Sequence, residues 1–247
     1  MNQTRLDRKL LKRPDYFVEQ GRVMLQRLVG QRRALIGFAL TLVAITGVYY
    51  VYNGLAEKRI QADWVAYYEA SQKPVAERAA ALKAVYEKAS NSRAKQLAAA
   101  SLGDHYALSQ KAKQPGNKGE DPEAKLSAAE VSTQSLDWYA KAQDFSFLQP
   151  LEKDLLTLNT AAVLEGENKL AEAASRYDAV AKSSTDAKPL GQLHSARLLE
   201  KGGKKDDARK LYRAIATDYP STDYARIARN YLRRMDSPLF SSPAGKP

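Results

Sequence analysis

The stretch Ala208–Pro220, which reads ARKLYRAIATDYP, decides the fold. Within it Ala208, Tyr212 and Ile215 are separated by four and then three positions. That spacing places their side chains on one face of an α-helix. The stretch therefore predicts an amphipathic helix that buries a small residue next to an aromatic one.

The same order of small, aromatic and apolar residues recurs upstream in Leu170–Ala181, which reads LAEAASRYDAVA. Its aromatic residue, Tyr177, lies 35 positions before Tyr212. Two weaker copies precede it: Ser135-Tyr139-Ala142 and Leu82-Tyr86-Ala89. A period of this length predicts an all-α fold in which helical hairpins stack side by side. Tyr177 and Tyr212 are then expected in the hydrophobic core.

This pattern resembles the tetratricopeptide repeat. Leu102–Tyr106 reads LGDHY and matches the family's Leu-Gly-x-x-Tyr stretch, and Pro220 stands where the family has its closing proline. The chain departs from the family because every copy lacks the early Trp, and because the Gly- and Pro-rich loop Lys111–Pro122 splits one copy. The resemblance implies a degenerate α-solenoid of three to four hairpins. Ser221 is predicted to cap a last helix over Thr222–Met235.

An uncharged segment, Ala34–Tyr52, precedes the repeats and reads ALIGFALTLVAITGVYYVY. Extended to Leu55 it reaches the roughly 20 residues that a membrane-spanning helix needs. It is longer than the apolar core of a signal peptide, and 33 residues precede it, so an uncleaved anchor is favoured. The predicted domains are a basic arm (1–33), a transmembrane helix (34–56), a repeat domain (57–236) and a disordered tail (237–247). The stretch Glu57–Ser71 is expected to continue the anchor as a stalk that packs on the first hairpin.

The charge of the chain is concentrated beside this anchor. The net charge is +11, and the arm 1–33 holds nine Lys or Arg against three Asp or Glu. The positive-inside rule then predicts a cytoplasmic N-terminus and a repeat domain on the opposite side. The arm is expected to contain an amphipathic helix that lies on anionic lipids, or alternatively docks on another membrane protein. Binding of nucleic acid is not predicted, because no basic-aromatic recognition motif is present.

No pattern of catalytic or metal-binding residues is found in the sequence. The chain has no cysteine, which excludes disulfides, thiolate metal sites and thiol nucleophiles. Its two histidines, His105 and His194, have no second histidine at ligand spacing. Gly202-Gly203 precedes a helix but follows no strand, so it predicts a turn rather than a phosphate loop. We expect no enzyme activity and no cofactor.

The order of the parts resembles that of the YfgM-type ancillary proteins of the bacterial Sec translocon. Local similarity is carried by Tyr16–Gly21 before the anchor, Ala66–Tyr68 after it, and Ala98–Tyr106 in the repeat region. The resemblance implies a single-pass protein of the bacterial inner membrane with a periplasmic repeat domain. It also implies protein partners: translocon subunits, secreted chains or periplasmic chaperones. A structural scaffold of an envelope complex, with one fixed partner, is the alternative function.

A partner-binding groove is predicted on the first helix of each hairpin. An apolar groove of this kind would accept an apolar or amphipathic segment of another protein. The alternative is that these leucines pack against neighbouring helices. The predicted partner-binding residues are Leu97, Asp104, Leu108, Leu155, Leu158, Asn159, Leu190, Leu193, His194 and Arg197.

Overall fold

The computed structural model describes residue 19 and residues 21–26, 32–114 and 121–237. These ranges contain helices and turns but no β-strand. Residues 21–26 are helical and exposed, whereas most of the arm predicted to hold an amphipathic helix lies outside the described residues, as does the tail beyond residue 237. The longer helices are α1 Arg32–Gln72, α2 Val75–Lys88, α3 Ser92–Ala112, α4 Ala128–Gln143, α5 Pro150–Gly166, α6 Leu170–Ala181, α7 Lys188–Lys201, α8 Lys205–Asp218 and α9 Asp223–Asp236.

The chain divides into two units, of which Met1–Lys58 is the first. Its described part is mainly the first two thirds of α1, whose apolar side chains are exposed. Among the described residues, α1 alone is long and apolar enough to cross a membrane. The hydroxyl groups of Thr41 and Thr46 donate hydrogen bonds to carbonyl oxygens one turn earlier, at 2.8 and 2.7 Å. Bonds of this kind satisfy hydroxyls inside an apolar helix.

The second unit, Arg59–Pro247, is the helical domain. From α2 to α9 each helix packs against the next one in the chain, and further contacts join α3 to α5 and α7 to α9. Three clusters of buried apolar residues lie along this succession. The hydrophobic core therefore consists of three clusters that follow one another along the succession of helices.

The predicted core residues of the repeated pattern are buried. Tyr177 and Tyr212 are both fully inaccessible to solvent, and so are the small residues Ala173 and Ala208. A small side chain on the second helix of a pair lets the first helix approach closely. The burial that the repeated pattern predicted is thus confirmed at these two positions.

Gly103 allows a close approach between α3 and α4. A methyl group added at Gly103 would lie 2.4 Å from the ring of Tyr139, closer than any real contact. The backbone of α3 is also held from α4, because the Ser135 hydroxyl donates to the Gly103 carbonyl oxygen at 2.8 Å. A larger residue at position 103 would therefore displace the Tyr139 ring.

The end of α1 packs on the domain as the stalk prediction expected. One carboxylate oxygen of Asp63 accepts bonds from the backbone N–H groups of Ser90 and Asn91, each at 2.8 Å. The hydroxyl groups of Tyr67 and Ser101 lie 3.1 Å apart and share a hydrogen bond. These contacts fix the last turns of α1 against the start of α3.

One detail of the last helix differs from the prediction. The cap of α9 is Thr222, whose hydroxyl accepts the backbone N–H of Ala225, and not Ser221. The helix consequently begins at Asp223. The prediction was wrong by one residue because serine and threonine are equally good caps and the two are adjacent in the sequence.

Candidate protein-binding surface

The residues predicted to bind a partner lie on α3, α5 and α7 and differ in exposure. Leu108 and Leu155 are 53% and 45% exposed, which is high for leucines of a helical domain. Asp104 and Asn159 are exposed as whole residues, although the carboxyl group of Asp104 lies against the Tyr139 hydroxyl and is partly desolvated. Five others are half-buried: Leu97, Leu190, Leu193, His194 and Arg197.

Leu158 is a correction to the predicted surface. It is only 5% exposed and belongs to the core cluster that also contains Ala161, Ala173 and Tyr177. Leu155 and Leu158 are three positions apart on α5, so a small rotation of the helix decides which of them faces the core. Its side chain is therefore unavailable to a partner.

The structure brings two of the predicted residues, Asp104 and Asn159, together around Tyr139. The Tyr139 hydroxyl, from α4, donates to Oδ1 of Asp104 on α3 at 2.6 Å. The side-chain amide of Asn159 on α5 donates to the same oxygen at 3.2 Å. We call this meeting of three helices the first tyrosine junction.

Burial governs the acidity of the groups in the first tyrosine junction. Desolvation raises the pKa of Asp104 above its ordinary value, and this effect outweighs the lowering by the Tyr139 hydrogen bond and by the charge of Lys111. Burial, and then the charge of Asp104, raise the pKa of the Tyr139 hydroxyl well above its usual range. The hydroxyl is therefore always a donor at physiological pH.

The second tyrosine junction has the same plan with an arginine in place of the asparagine. The Tyr177 hydroxyl, from α6, donates to Oε2 of Glu165 on α5 at 3.3 Å. Arg197 on α7 donates to the same oxygen at 2.5 Å, which makes an ion pair. The carboxylate charge is thus neutralised by the helix that follows.

The third tyrosine junction repeats the second at the end of the domain. The Tyr212 hydroxyl, from α8, donates to Oε2 of Glu200 on α7 at 3.3 Å. Arg234 on α9 donates to the other carboxylate oxygen of Glu200 at 2.5 Å. In each of these two junctions an arginine of the next helix covers the carboxylate.

Aromatic stacking accompanies the second and third junctions. The rings of Tyr177 and His194 are 4.7 Å apart and 8° from parallel, and those of Tyr212 and Tyr231 are 4.9 Å apart and 3° from parallel. Burial, and then the charge of Arg197, lower the pKa of His194 to about 4. His194 is consequently a neutral stacking partner at pH 7. Because His194 packs on Tyr177, its main role is structural. The partner binding that the sequence predicted for it is secondary.

An open cavity of about 220 Å³ lies at the first tyrosine junction. Asp104, Tyr139 and Asn159 provide its polar wall, and Leu108 is part of its apolar wall together with Ala107, Ala162 and Val163. A second cavity, of about 190 Å³, shares Asp104 and Leu108 with the first. Leu108 therefore stands between two depressions of the surface.

Sequence reasoning missed an apolar stripe that begins before α5. Phe147, Leu151 and Leu155 are all more than a third exposed and follow one another at intervals of four residues. Arg93 on α3 forms an ion pair with Glu152 and lies over the Phe147 ring, 5.7 Å from its centre. The spacing of four residues was a signal in the sequence that could have indicated this stripe.

A larger depression of about 560 Å³ lies among α6, α7 and α8. Leu170, Leu198, Leu199 and Leu211 contribute to its lining. None of the predicted partner-binding residues borders it. The exposed predicted residues are grouped at the first tyrosine junction instead.

No cluster of metal-ligating residues occurs in the described ranges. Within them, no group of three or more His, Asp or Glu residues is placed to hold a metal ion. His105 is buried, and its Nε2 lies 3.0 Å from a carboxylate oxygen of Glu123. The chemistry that the described surface offers is therefore apolar contact together with the charge of Asp104.

Comparisons with known proteins give no relative for this chain. No protein-family model, no curated protein and no solved structure matches it.

Proposed function

We infer that this chain is a membrane-anchored protein–protein interaction module, whose helical domain binds an apolar or amphipathic segment of another protein. One observation carries the proposal. Leu108 is exposed in the wall of an open cavity, and Leu155 is exposed one helical turn before Asn159, another lining residue, on a domain whose other large apolar side chains are mostly buried or half-buried. Exposed apolar groups clustered around a concavity commonly mark a site of protein interaction.

The arrangement of the helices supports a degenerate tetratricopeptide-like solenoid as the framework. Each helix packs on its neighbour in the chain, and α3 and α7 also contact the next helix but one. A succession of helical hairpins produces such a pattern, because each hairpin touches only the hairpins beside it. A framework of this kind presents its first helices as one continuous surface.

The proposed location is the bacterial inner membrane, with the arm 1–33 in the cytoplasm and the helical domain in the periplasm. The length and apolarity of α1 support the anchor. The excess of Lys and Arg before it supports the orientation. The partners proposed for this location are translocon subunits, secreted chains or periplasmic chaperones, as the resemblance to YfgM-type proteins implies.

Site-specific photocrosslinking tests the proposed function directly. A photoreactive phenylalanine analogue is placed at Leu155 in the full chain, in native membranes, and irradiated. The matched control carries the same analogue at Ala179, an exposed position on α6, which contributes nothing to this surface. We expect adducts with other proteins from position 155 and not from position 179.

The pattern of adducts also separates the two functions that remain open. Several partners of different mass would support an adaptor for varied chains, and one stoichiometric partner would support a scaffold with a fixed neighbour. Equal labelling from positions 155 and 179, or no adduct from either, contradicts the binding surface.

The orientation has its own test. A reporter enzyme that is active only in the periplasm, fused after Pro247, should be active. A cytoplasm-only reporter at the same point should be inactive. The reverse result would place the helical domain in the cytoplasm and would remove the translocon from the list of partners.

A further inference from the structure

The three tyrosine junctions differ in how the carboxylate charge is balanced. Glu165 and Glu200 each receive an arginine from the helix that follows. At the first tyrosine junction the following helix supplies Asn159, whose amide donates a hydrogen bond but carries no charge. The first tyrosine junction therefore lacks such an arginine, and the positive charge that acts on Asp104 is that of Lys111.

The cavity occurs at this same junction. Its volume of about 220 Å³ is far larger than one water molecule needs, so it has room for a side chain. Tyr139 and Asn159 both bond to Oδ1 of Asp104, whereas neither bonds to Oδ2. A cationic side chain entering the cavity would find this carboxylate already oriented by two hydrogen bonds.

Electrostatics point to the same occupant. Burial raises the pKa of Asp104 even though Lys111, which lines the same cavity, lowers it. Lys111 itself is an exposed residue. A carboxylate whose pKa remains raised is incompletely compensated, so a further positive charge in the cavity would stabilise it.

Apolar side chains lie on either side of the cavity. Leu108 is part of its wall, and Leu155 stands one helical turn before Asn159. A partner that places a cation on Asp104 would therefore meet apolar surface before and after it. This sequence of contacts fits a helix whose apolar face carries one basic residue.

We propose that the cavity at the first tyrosine junction binds a Lys or Arg side chain of an otherwise apolar partner segment, with the cation on Asp104 and the flanking apolar residues on Leu108 and Leu155. The proposal rests on the proposed function of this surface. It adds the chemical class of the segment that is recognised.

The test uses the full chain in detergent micelles and labelled amphipathic peptides of Leu, Gln and Ser. Three peptides differ only in a central Arg, Gln or Glu, and fluorescence anisotropy reports their binding. A charge-assisted hydrogen bond to a half-buried carboxylate favours the Arg peptide, so its affinity should exceed that of the Gln peptide about tenfold. The Glu peptide should bind more weakly than the Gln peptide.

Two variants assign the preference to the cavity. Asp104→Asn keeps the size of the side chain and should bring the ratio of the Arg-peptide to the Gln-peptide affinity down to about one. Asn159→Arg would give the first tyrosine junction its own arginine, as in the other two. It should reduce binding of the Arg peptide to the level of the Gln peptide.

The outcomes separate this inference from the proposed function. Equal binding of the Arg and Gln peptides by the unaltered chain, or an Arg preference that survives Asp104→Asn, overturns the cation site and leaves an apolar binding surface. Binding of no peptide, together with no adduct from position 155, overturns both. Circular dichroism of each variant confirms that a loss of binding does not come from unfolding.

Discussion

The first and third tyrosine junctions each bury a tyrosine. They differ in how the charge of the carboxylate that accepts its hydrogen bond is compensated. Tyr212 donates to Glu200, and Arg234 closes the ion pair on the outer side. Tyr139 donates to Asp104 over a shorter distance, 2.6 Å against 3.3 Å, and no arginine follows. One junction is thus internally neutral, whereas the other leaves a partly compensated charge next to an open cavity.

This difference separates packing from binding within one domain. Pairing a half-buried carboxylate inside the protein stabilises the helix contact and leaves little charge for a partner. Leaving it unpaired costs stability but retains a group that can recognise a cation. The third tyrosine junction is therefore best interpreted as structural, and the first as the candidate binding site.

The largest expected effect comes from removing a junction tyrosine. Tyr212→Ala deletes a fully buried ring and its stack on Tyr231, and should lower the free energy of unfolding by about 3 kcal/mol or more. Tyr177→Ala should have an effect of similar size. Urea unfolding of the full chain in detergent micelles measures both.

The location of the damage tests the stacked arrangement. Hydrogen exchange should accelerate first in α7, α8 and α9 for Tyr212→Ala, because each helix pair mainly stabilises its neighbours. Exposed Ala179→Gly on α6 serves as a control of low expected effect. Uniform acceleration over the whole domain would show that it unfolds as one unit, and an unchanged stability would contradict the burial of the ring.

The next effect is a dependence of the stability on pH, which we expect from the second tyrosine junction and not from the third. The pKa of His194 falls to about 4 in the folded chain, against 6.5 for an unperturbed histidine. Because the folded pKa is depressed, the stability that the neutral ring provides is fully present above pH 6.5. It is lost as the pH falls toward 4, by about 3 kcal/mol at most.

A variant can remove this dependence without removing the stack. His194→Tyr gives the second junction the same pair of stacked tyrosines as the third, and tyrosine does not titrate in this range. The groups that contact His194 include the Tyr177 ring and the guanidinium group of Arg197. Unfolding free energies between pH 4 and 7 should converge for the two proteins at pH 7 and diverge below it; parallel curves would contradict the assignment.

The sequence was sufficient to predict that Tyr177 and Tyr212 are buried, because both belong to helices with one clear apolar face. It was not sufficient on α5, where Leu155, Leu156 and Leu158 stand close together and the pattern does not define a single inward face. The structure buries Leu156 and Leu158 and exposes Leu155. A helix that is apolar on several sides leaves its rotation to its neighbours.

The polar bonds of the junctions were beyond sequence reasoning for a different reason. The carboxylate is Asp at one junction and Glu at the other two, and it lies 35 positions before its tyrosine in the first case but 12 in the others. No spacing and no residue type of the carboxylate is common to all three junctions. Asp104 and Asn159 were predicted from the repeat register alone, and only the structure shows that Asp104 accepts hydrogen bonds from both Tyr139 and Asn159.

The smallest expected effect compares the three hydroxyl groups, through Tyr139→Phe, Tyr177→Phe and Tyr212→Phe. Each change removes one hydrogen bond and keeps the ring. Glu165 and Glu200 retain an arginine after the change, so the loss at Tyr177 and Tyr212 should be about 0.5 kcal/mol. Asp104 would retain Asn159 and the charge of Lys111, so the loss at Tyr139 should be larger, about 1–2 kcal/mol at pH 7. As the pH falls through the raised pKa of Asp104, the carboxyl becomes protonated and the excess loss at Tyr139 should shrink. Urea unfolding at pH 7 and at acid pH measures the three differences. Equal losses at the three positions would show that the first tyrosine junction is no less compensated than the others and would weaken its assignment as the binding site.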